Sequence, residues 1–446
     1  MTQEQPNVVF VISDQWSTRI AEETNEVETP GVDQLAEEGI SFAESYSSSP
    51  LCCPARSSLF TGLMPHNNGL VDNEEIIENE LGEFPTTDNV LTATTTLGEE
   101  FKKAGYETAY FGKEHAAEYA WQGIDNFGSL KFTGGGYLAD GSAFDQIFAK
   151  DAVEFIKQDH EQPFYMTLSL INPHDICKTL GGDIGGKTFA NAIHFCRDES
   201  ESYLRGQERV GLPANADSQY IKGMINHNDM MYEELEDYNE NDWKRYISTY
   251  CLLLEKTDWY ISLILNALQE AGLEEDTIVV FTADHGDMMG SHQLIAKTTF
   301  YEESAKTPLV IKYPDEIEAG TVNEQDLISS TDIMPTLLDL CGLEIPADID
   351  GASFAKQCYG EENDKFNQVF SENYLGKMLR FDDYKYVKTK IEGEEYKILF
   401  DLKNDPEERE NVFAEPGYEE VSKEAETRLN KWLEEENIEL HYDKQW

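Results

Sequence analysis

Residues 7–13 read NVVFVIS and are followed at once by Asp14 and Gln15. An unbroken apolar run this short does not alternate with polar residues. It has the pattern of a strand buried on both faces, which is the habit of parallel sheets. Residues 107–111 (ETAYF), 164–171 (FYMTLSLI) and 277–282 (TIVVFT) share this texture. Helix-like periodicity lies between them, at residues 32–39, 95–104 and 246–271. Strands alternating with helices predict an α/β fold with a large, mostly parallel central sheet flanked by helices.

In such sheets ligands bind beyond the carboxyl ends of the strands. Each of the four runs delivers polar residues there: Asp14 and Gln15, Lys113 and His115, Asn172 and His174, Asp284 and His285. Any one pair alone reads as an ordinary loop; four at one end of a sheet read as a site. Asp14, Gln15, Asp284 and His285 together suit a divalent cation. The oxygen donors favour Ca²⁺ or Mg²⁺, and the imidazole leaves Mn²⁺ or Zn²⁺ open.

The strongest local signal is CCPARSSLFTG at residues 52–62. Pro54 fits the first turn of a helix, where its missing N–H costs nothing. Cys52 then lies at a helix N-terminus, which favours a negative charge, with Arg56 one turn further on. Residues 181–188 (GGDIGGKT) match the phosphate-loop expression, but no strand leads directly into them. They read as a Gly-rich loop inside a long polar insertion over residues 176–243. His292 is a possible pocket residue, and the aromatics of residues 115–122 suit either substrate contact or packing.

Beyond residue 364 the texture changes. Short strand patterns at residues 368–372, 377–381, 385–389 and 397–402 precede an amphipathic helix at 419–435. This predicts a catalytic domain over residues 1–364 and a small C-terminal α+β subdomain over 365–446.

The chain has 446 residues, with 87 Asp and Glu against 34 Lys and Arg, a formal net charge of -53. Such a field repels phosphates, so nucleic acids and anionic membranes are poor partners. The acids are dispersed, not gathered in a tail. At molar salt the Debye length shrinks to about 3 Å and screens their repulsion, so the composition suits a high-salt cytoplasm. No apolar leader or membrane-spanning run is visible, which predicts a cytoplasmic protein. The seven cysteines are odd in number and show no disulfide spacing.

Cys52-Cys53-Pro54-Ala55-Arg56 followed by Thr61-Gly62 resembles the signature of the formylglycine-dependent sulfatases, in the alkaline-phosphatase-like superfamily. The opening strand with Asp14, the segments FGKEH, NPHD and ADHGDMMGSHQLIAK, and the later TDIMPTLLDLCG and LFDLKNDPEERENV resemble further family segments in the family's order. Asp14-Gln15, DHGDM and Asn73 resemble the branch of choline sulfatases and phosphonate monoester hydrolases. Many sulfatases carry a second acid where Gln15 stands. Lys113 and His115 are unlike phosphonate monoester hydrolases and favour sulfate monoesters.

The resemblance implies that a maturation enzyme oxidises Cys52 to formylglycine, whose hydrate attacks sulfur beside one divalent metal, Ca²⁺ before Mg²⁺ or Mn²⁺. It implies Asp14, Gln15, Asp284, His285 and residue 52 as metal ligands. Arg56, Lys113 and Lys297 would neutralise the sulfate oxygens, and Asn73 would hydrogen-bond them. His174 with Lys297 would protonate the leaving alcohol, and His115 would take a proton to expel sulfate. The partner is a small-molecule or carbohydrate sulfate ester. A phosphonate or phosphate ester hydrolase, and a non-catalytic binder of sulfated ligands, are the competing readings. Oligomeric state is not legible.

Overall fold

The structure is a computed structural model that describes residues 5–19, 27–73, 95–131, 140–178, 211–224, 239–361, 365–391 and 393–438. The strand that opens the chain, β1 (Asn7–Asp14), is buried from Val8 onward. It lies at the centre of a seven-stranded sheet, between β5 (Phe164–Pro173) and β6 (Thr277–Ala283), both parallel to it. Outside β5 lies β4 (Glu107–Gly112); outside β6 follow β7 (Leu309–Lys312), β2 (Ile40–Phe42) and β8 (Thr321–Asn323). Only β7 runs antiparallel to its neighbours. A separate short pair joins β3 (Ser45–Tyr46) to β9 (Ile328–Ser329).

Alternation along β1 divides its apolar residues between two cores, because successive side chains leave a strand on opposite faces. Val9 and Val11 join helices α1 (Pro30–Glu38), α4 (Asp140–Ile156) and α5 (Glu240–Ala271), through residues such as Leu35, Phe148, Ile247 and Leu254. Val8, Phe10 and Ile12 face α2 (Cys52–Thr61), α3 (Leu97–Lys103) and α6 (Ile333–Leu340), meeting Leu59, Phe60, Phe101 and Leu337. Asp258 of α5 ties two helices together: its carboxylate accepts the Gly31 and Val32 N–H groups at the start of α1.

The expected helix over 246–271 begins earlier, at Glu240. Residues 240–243 therefore belong to α5 and not to the polar insertion. Their polar sequence hid the first turn, in which Trp243 packs against Gly290. Most of the insertion, including the Gly-rich stretch at 181–188, lies outside the described residues.

The C-terminal part is an antiparallel meander of β10 (Gln368–Glu372), β11 (Gly376–Phe381), β12 (Tyr384–Ile391) and β13 (Glu394–Asp401). Helix α7 (Glu419–Glu435) covers one face with Ala425, Leu429 and Leu433, spaced by one helical turn. The other face packs Met378, Val387 and Phe400 against Tyr46, Met288 and Tyr301.

That contact also buries ions. Lys385 Nζ lies 2.8 Å from Glu302 Oε1 and 2.5 Å from Glu408 Oε1, and Tyr46 donates to Glu302 at 3.0 Å. Burial, with Glu302 and Glu303 near by, pushes the Glu408 carboxyl up to about 8 against the pull of Lys385. Removing one member of a buried ion group leaves an uncompensated charge. Lys385→Met should therefore cost about 3–5 kcal/mol in urea unfolding. Because the folded pKa of Glu408 lies above its unfolded value, its contribution is complete in acid and is lost as pH rises toward 8. Glu408→Gln should flatten that alkaline decline, as read from melting temperature against pH.

Candidate active site

Four strand ends of the parallel sheet meet at one place. Asp14 closes β1, where the register with β5 breaks. Gly112 closes β4 at φ +131°, and a Cβ there would lie 1.8 Å from the Ser169 carbonyl oxygen. Only glycine permits that approach, and the next residue, Lys113, is thereby turned into the site. His174 follows Pro173 at the end of β5, and Asp284 and His285 follow Ala283 at the end of β6. The N-terminus of α2 brings Cys52, and all ten residues of that helix are buried.

Ligand atoms of Asp14, Cys52, Asp284 and His285 lie within 4.8 Å of one another. His285 is oriented by a 2.9 Å contact from Nδ1 to the Gly286 carbonyl, which leaves Nε2 facing Cys52 Sγ at 3.3 Å. Two fully buried carboxylates, an imidazole and residue 52 form a donor set that fits a hard or borderline divalent cation.

Arg56 explains how two acids stand side by side out of water. Its Nε donates to Asp284 at 2.8 Å and its Nη2 to Asp14 at 3.0 Å. Its Nη1 donates to Ser169 Oγ at 2.6 Å and to the Lys113 carbonyl at 3.2 Å. The guanidinium expected to face sulfate is instead engaged with the carboxylates behind it. Lys113 Nζ adds a second cation, 2.6 Å from Asp14 Oδ2. Burial alone would raise the Asp14 carboxyl, yet Lys113 and Lys297 hold it well below the usual range.

Residue 52 sits in a cationic pocket. Lys297 Nζ donates to Cys52 Sγ at 2.8 Å and to Gln15 Oε1 at 2.9 Å. Burial would raise the thiol, but Lys113, Lys297 and His285 outweigh it and hold it well below the ordinary thiol range. His115 and His174 complete the wall. His115 and His174 are both buried beside Cys52, and neither ring nitrogen of His115 nor Nδ1 of His174 meets a protein oxygen or nitrogen at hydrogen-bond distance. Burial and Lys113 keep His115 neutral, and burial with Lys297 and Lys113 pushes His174 down to about 3. Imidazoles without an oxygen partner beside buried lysines have the chemistry to receive an anion that is itself a hydrogen-bond acceptor.

Asn73 and Gln15 are each hydrogen-bonded within the protein. Asn73 accepts the Cys53 N–H at 3.1 Å and so caps α2 instead of reaching into the pocket with that oxygen. Gln15 is brought to the site, but its amide bridges Lys297 and Asp287. His292 stacks on Tyr301 at 4.0 Å and contacts Asn215, away from the cluster. Trp121 packs on Phe60 and Tyr110, so it belongs to the core. The described cysteines are all free.

Sequence reasoning missed Ser169, Asp287, Tyr246 and Tyr250. Ser169 is hidden in an apolar strand, and Asp287 lies in the DHGDM stretch without an assigned role. Tyr246 and Tyr250 are one turn apart on α5 and face the site together, the only sequence signal they offered.

The comparisons with known proteins agree with this geometry. The Sulfatase family model matches residues 6–343, and the model for the C-terminal region of N-sulphoglucosamine sulphohydrolase matches residues 290–435. A Delta 4,5-hexuronate-2-O-sulfatase of Bacteroides thetaiotaomicron is 29% identical, over 97% of this chain and 89% of its own length. A solved 2-O GAG sulfatase superimposes with a TM-score of 0.80 at 26% identity, covering 98% of this chain and 93% of that one. The phosphonate monoester hydrolase of Agrobacterium radiobacter shares the fold, with a TM-score of 0.75 at 20% identity over 97% and 96% of the two chains. With the family model spanning the sheet, the Cys52 helix and the carboxylate pair, the chain belongs to the sulfatase family.

Proposed function

We propose that the protein hydrolyses sulfate monoesters of carbohydrates, with residue 52 as formylglycine and one divalent cation, Ca²⁺ first, held by Asp14, Gln15, Asp284 and His285. The observation that carries this reading is the buried convergence of Cys52 with two carboxylates and His285. Two of the relatives described above are, by their names, 2-O-sulfatases, one of a hexuronate and one of a GAG. That supports a sulfated carbohydrate over a small aryl or choline ester.

When bound, the cation supplies Lewis-acid activation of the nucleophilic oxygen on residue 52. Arg56 holds Asp14 and Asp284 in place through its two donated hydrogen bonds, a positioning role. Lys113 and Lys297 bind the sulfate oxygens and offset charge that grows as sulfur is transferred. They also make the pocket positive inside a molecule of net charge -53. With residue 52 as hydrated formylglycine, one of its hydroxyls would lose its proton to water and bond to sulfur as the bond from sulfur to the sugar oxygen breaks. His174, neutral in the empty pocket, gains a proton as the sulfate anion enters and passes it to that leaving oxygen. His115, neutral, takes the proton of the remaining hydroxyl as sulfate departs and the aldehyde re-forms. Maturation then requires an enzyme that oxidises Cys52.

Mass spectrometry of the peptide containing residue 52, from native-host protein, should show formylglycine. Unmodified cysteine throughout would overturn this mechanism and leave the non-catalytic binder or a reactive Cys52 thiolate. Sulfated disaccharides should turn over faster than aryl phosphonate esters, and the reverse order would favour the phosphonate hydrolase alternative.

His174→Ala should lower kcat about 10²–10⁴-fold for sugar sulfates. For an aryl sulfate with an acidic leaving phenol the loss should be much smaller, because that oxygen departs without a proton. Equal losses on both would remove His174 from the acid role.

The acidic composition supports function at high salt. The melting temperature should climb steeply from dilute buffer to molar NaCl, as screening shortens the reach of surface repulsion.

A further inference from the structure

Gln15 stands where an acid would add charge, and its surroundings show why an amide works there. An amide has an oxygen end and a nitrogen end of nearly equal shape. Which end faces the reaction centre must be set by its neighbours. Gln15 Nε2 donates to Asp287 Oδ2 at 2.5 Å. A carboxylate accepts and does not donate, so Asp287 can receive only the nitrogen end. Oε1 is thereby turned the other way, toward Lys297 Nζ, which itself touches Cys52 Sγ.

Asp287 is fully buried and fixed from three sides. It accepts the Met289 N–H at 2.8 Å and the Tyr246 hydroxyl at 3.3 Å, besides the Gln15 amide. The backbone of Gln15 is held as firmly, at φ +70°, a region unusual for a non-glycine residue. Its N–H donates to Asp284 Oδ1 at 3.0 Å, and its carbonyl accepts the Tyr250 hydroxyl at 2.5 Å. With backbone and nitrogen end both anchored, the side chain retains one orientation.

We infer that Asp287 is a positioning residue that fixes the Gln15 amide with its oxygen toward the cation, and that this pairing is what excludes an acid at position 15. The inference rests on the cation site proposed above. Asp287 lies behind Gln15 and holds the ligand's polarity. A glutamate at position 15 would set two carboxylates against each other across the contact now made by the amide nitrogen.

Titration calorimetry of the metal-stripped protein with CaCl₂ alone tests this, without reference to turnover. Asp287→Asn lets the amide flip, and Ca²⁺ affinity should fall by roughly tenfold or more, the usual effect of losing a partner behind a metal ligand. In a Gln15→Glu background the same Asp287→Asn change relieves repulsion and should strengthen binding. That reversal of sign is the diagnostic, because a general structural defect would weaken both. Tyr246→Phe, which leaves the carboxylate present but less firmly held, should weaken binding by a smaller factor. Unchanged affinity in Asp287→Asn and Tyr246→Phe, or equal losses in the two residue 15 backgrounds, would overturn the inference. Failure of the unsubstituted protein itself to bind Ca²⁺ would instead count against the cation site.

Discussion

The site depends on one buried guanidinium. Asp14 and Asp284 end neighbouring parallel strands, and the sheet spacing forces their carboxylates together away from water. Two such anions cannot both ionise without compensation, since each disfavours the other's charge. Arg56 offsets part of the conflict with one planar fork, donating to both acids and to Ser169, although burial and Asp14 still hold the Asp284 carboxyl above its ordinary range. Its placement in turn requires α2 to be buried along its whole length, with Cys52 at the open end. The reactive residue and the group that maintains its surroundings are thus one helical turn apart on the same rigid element.

Charge is organised at two scales. The molecule as a whole is strongly acidic, yet Arg56, Lys113 and Lys297 are buried around residue 52. Buried cations are screened far less than surface charges, so the local field in the pocket survives the global one. High salt would quiet the surface while leaving the pocket almost untouched. Burial and the same lysines lower His115 and His174 below the ordinary histidine range.

The antiparallel sheet near the C-terminus is bound to the main sheet by more than apolar contact. The Lys385, Glu302 and Glu408 group and the Lys377, Glu372 and His66 group both cross the junction. Glu372 also accepts the His66 N–H just beyond α2. Residues at the far end of the helix that carries Cys52 are therefore anchored by the C-terminal sheet. A buried network of this kind fixes one docking geometry, because any other leaves charges unpaired.

Several features were legible in the sequence because they depend on local pattern. Unbroken apolar runs define buried strands, period-3.6 spacing defines α7, and residues following strand ends define the site in a parallel sheet. Chemical type at those positions was enough to name Asp14, Lys113, His174 and Asp284. The sequence could not assign direction or partnership. That Arg56 spans the two carboxylates, that Asn73 caps α2, and that Asp287 meets the Gln15 amide are all contacts between separate parts of the chain. Gln15 and Asp287 are 272 residues apart, and no local periodicity encodes such a pair. Local sequence determined which elements form and which chemistry each strand end carries. Tertiary packing decided which donor meets which acceptor, because leaving a buried polar group without a partner is costly and only the fold brings distant partners together.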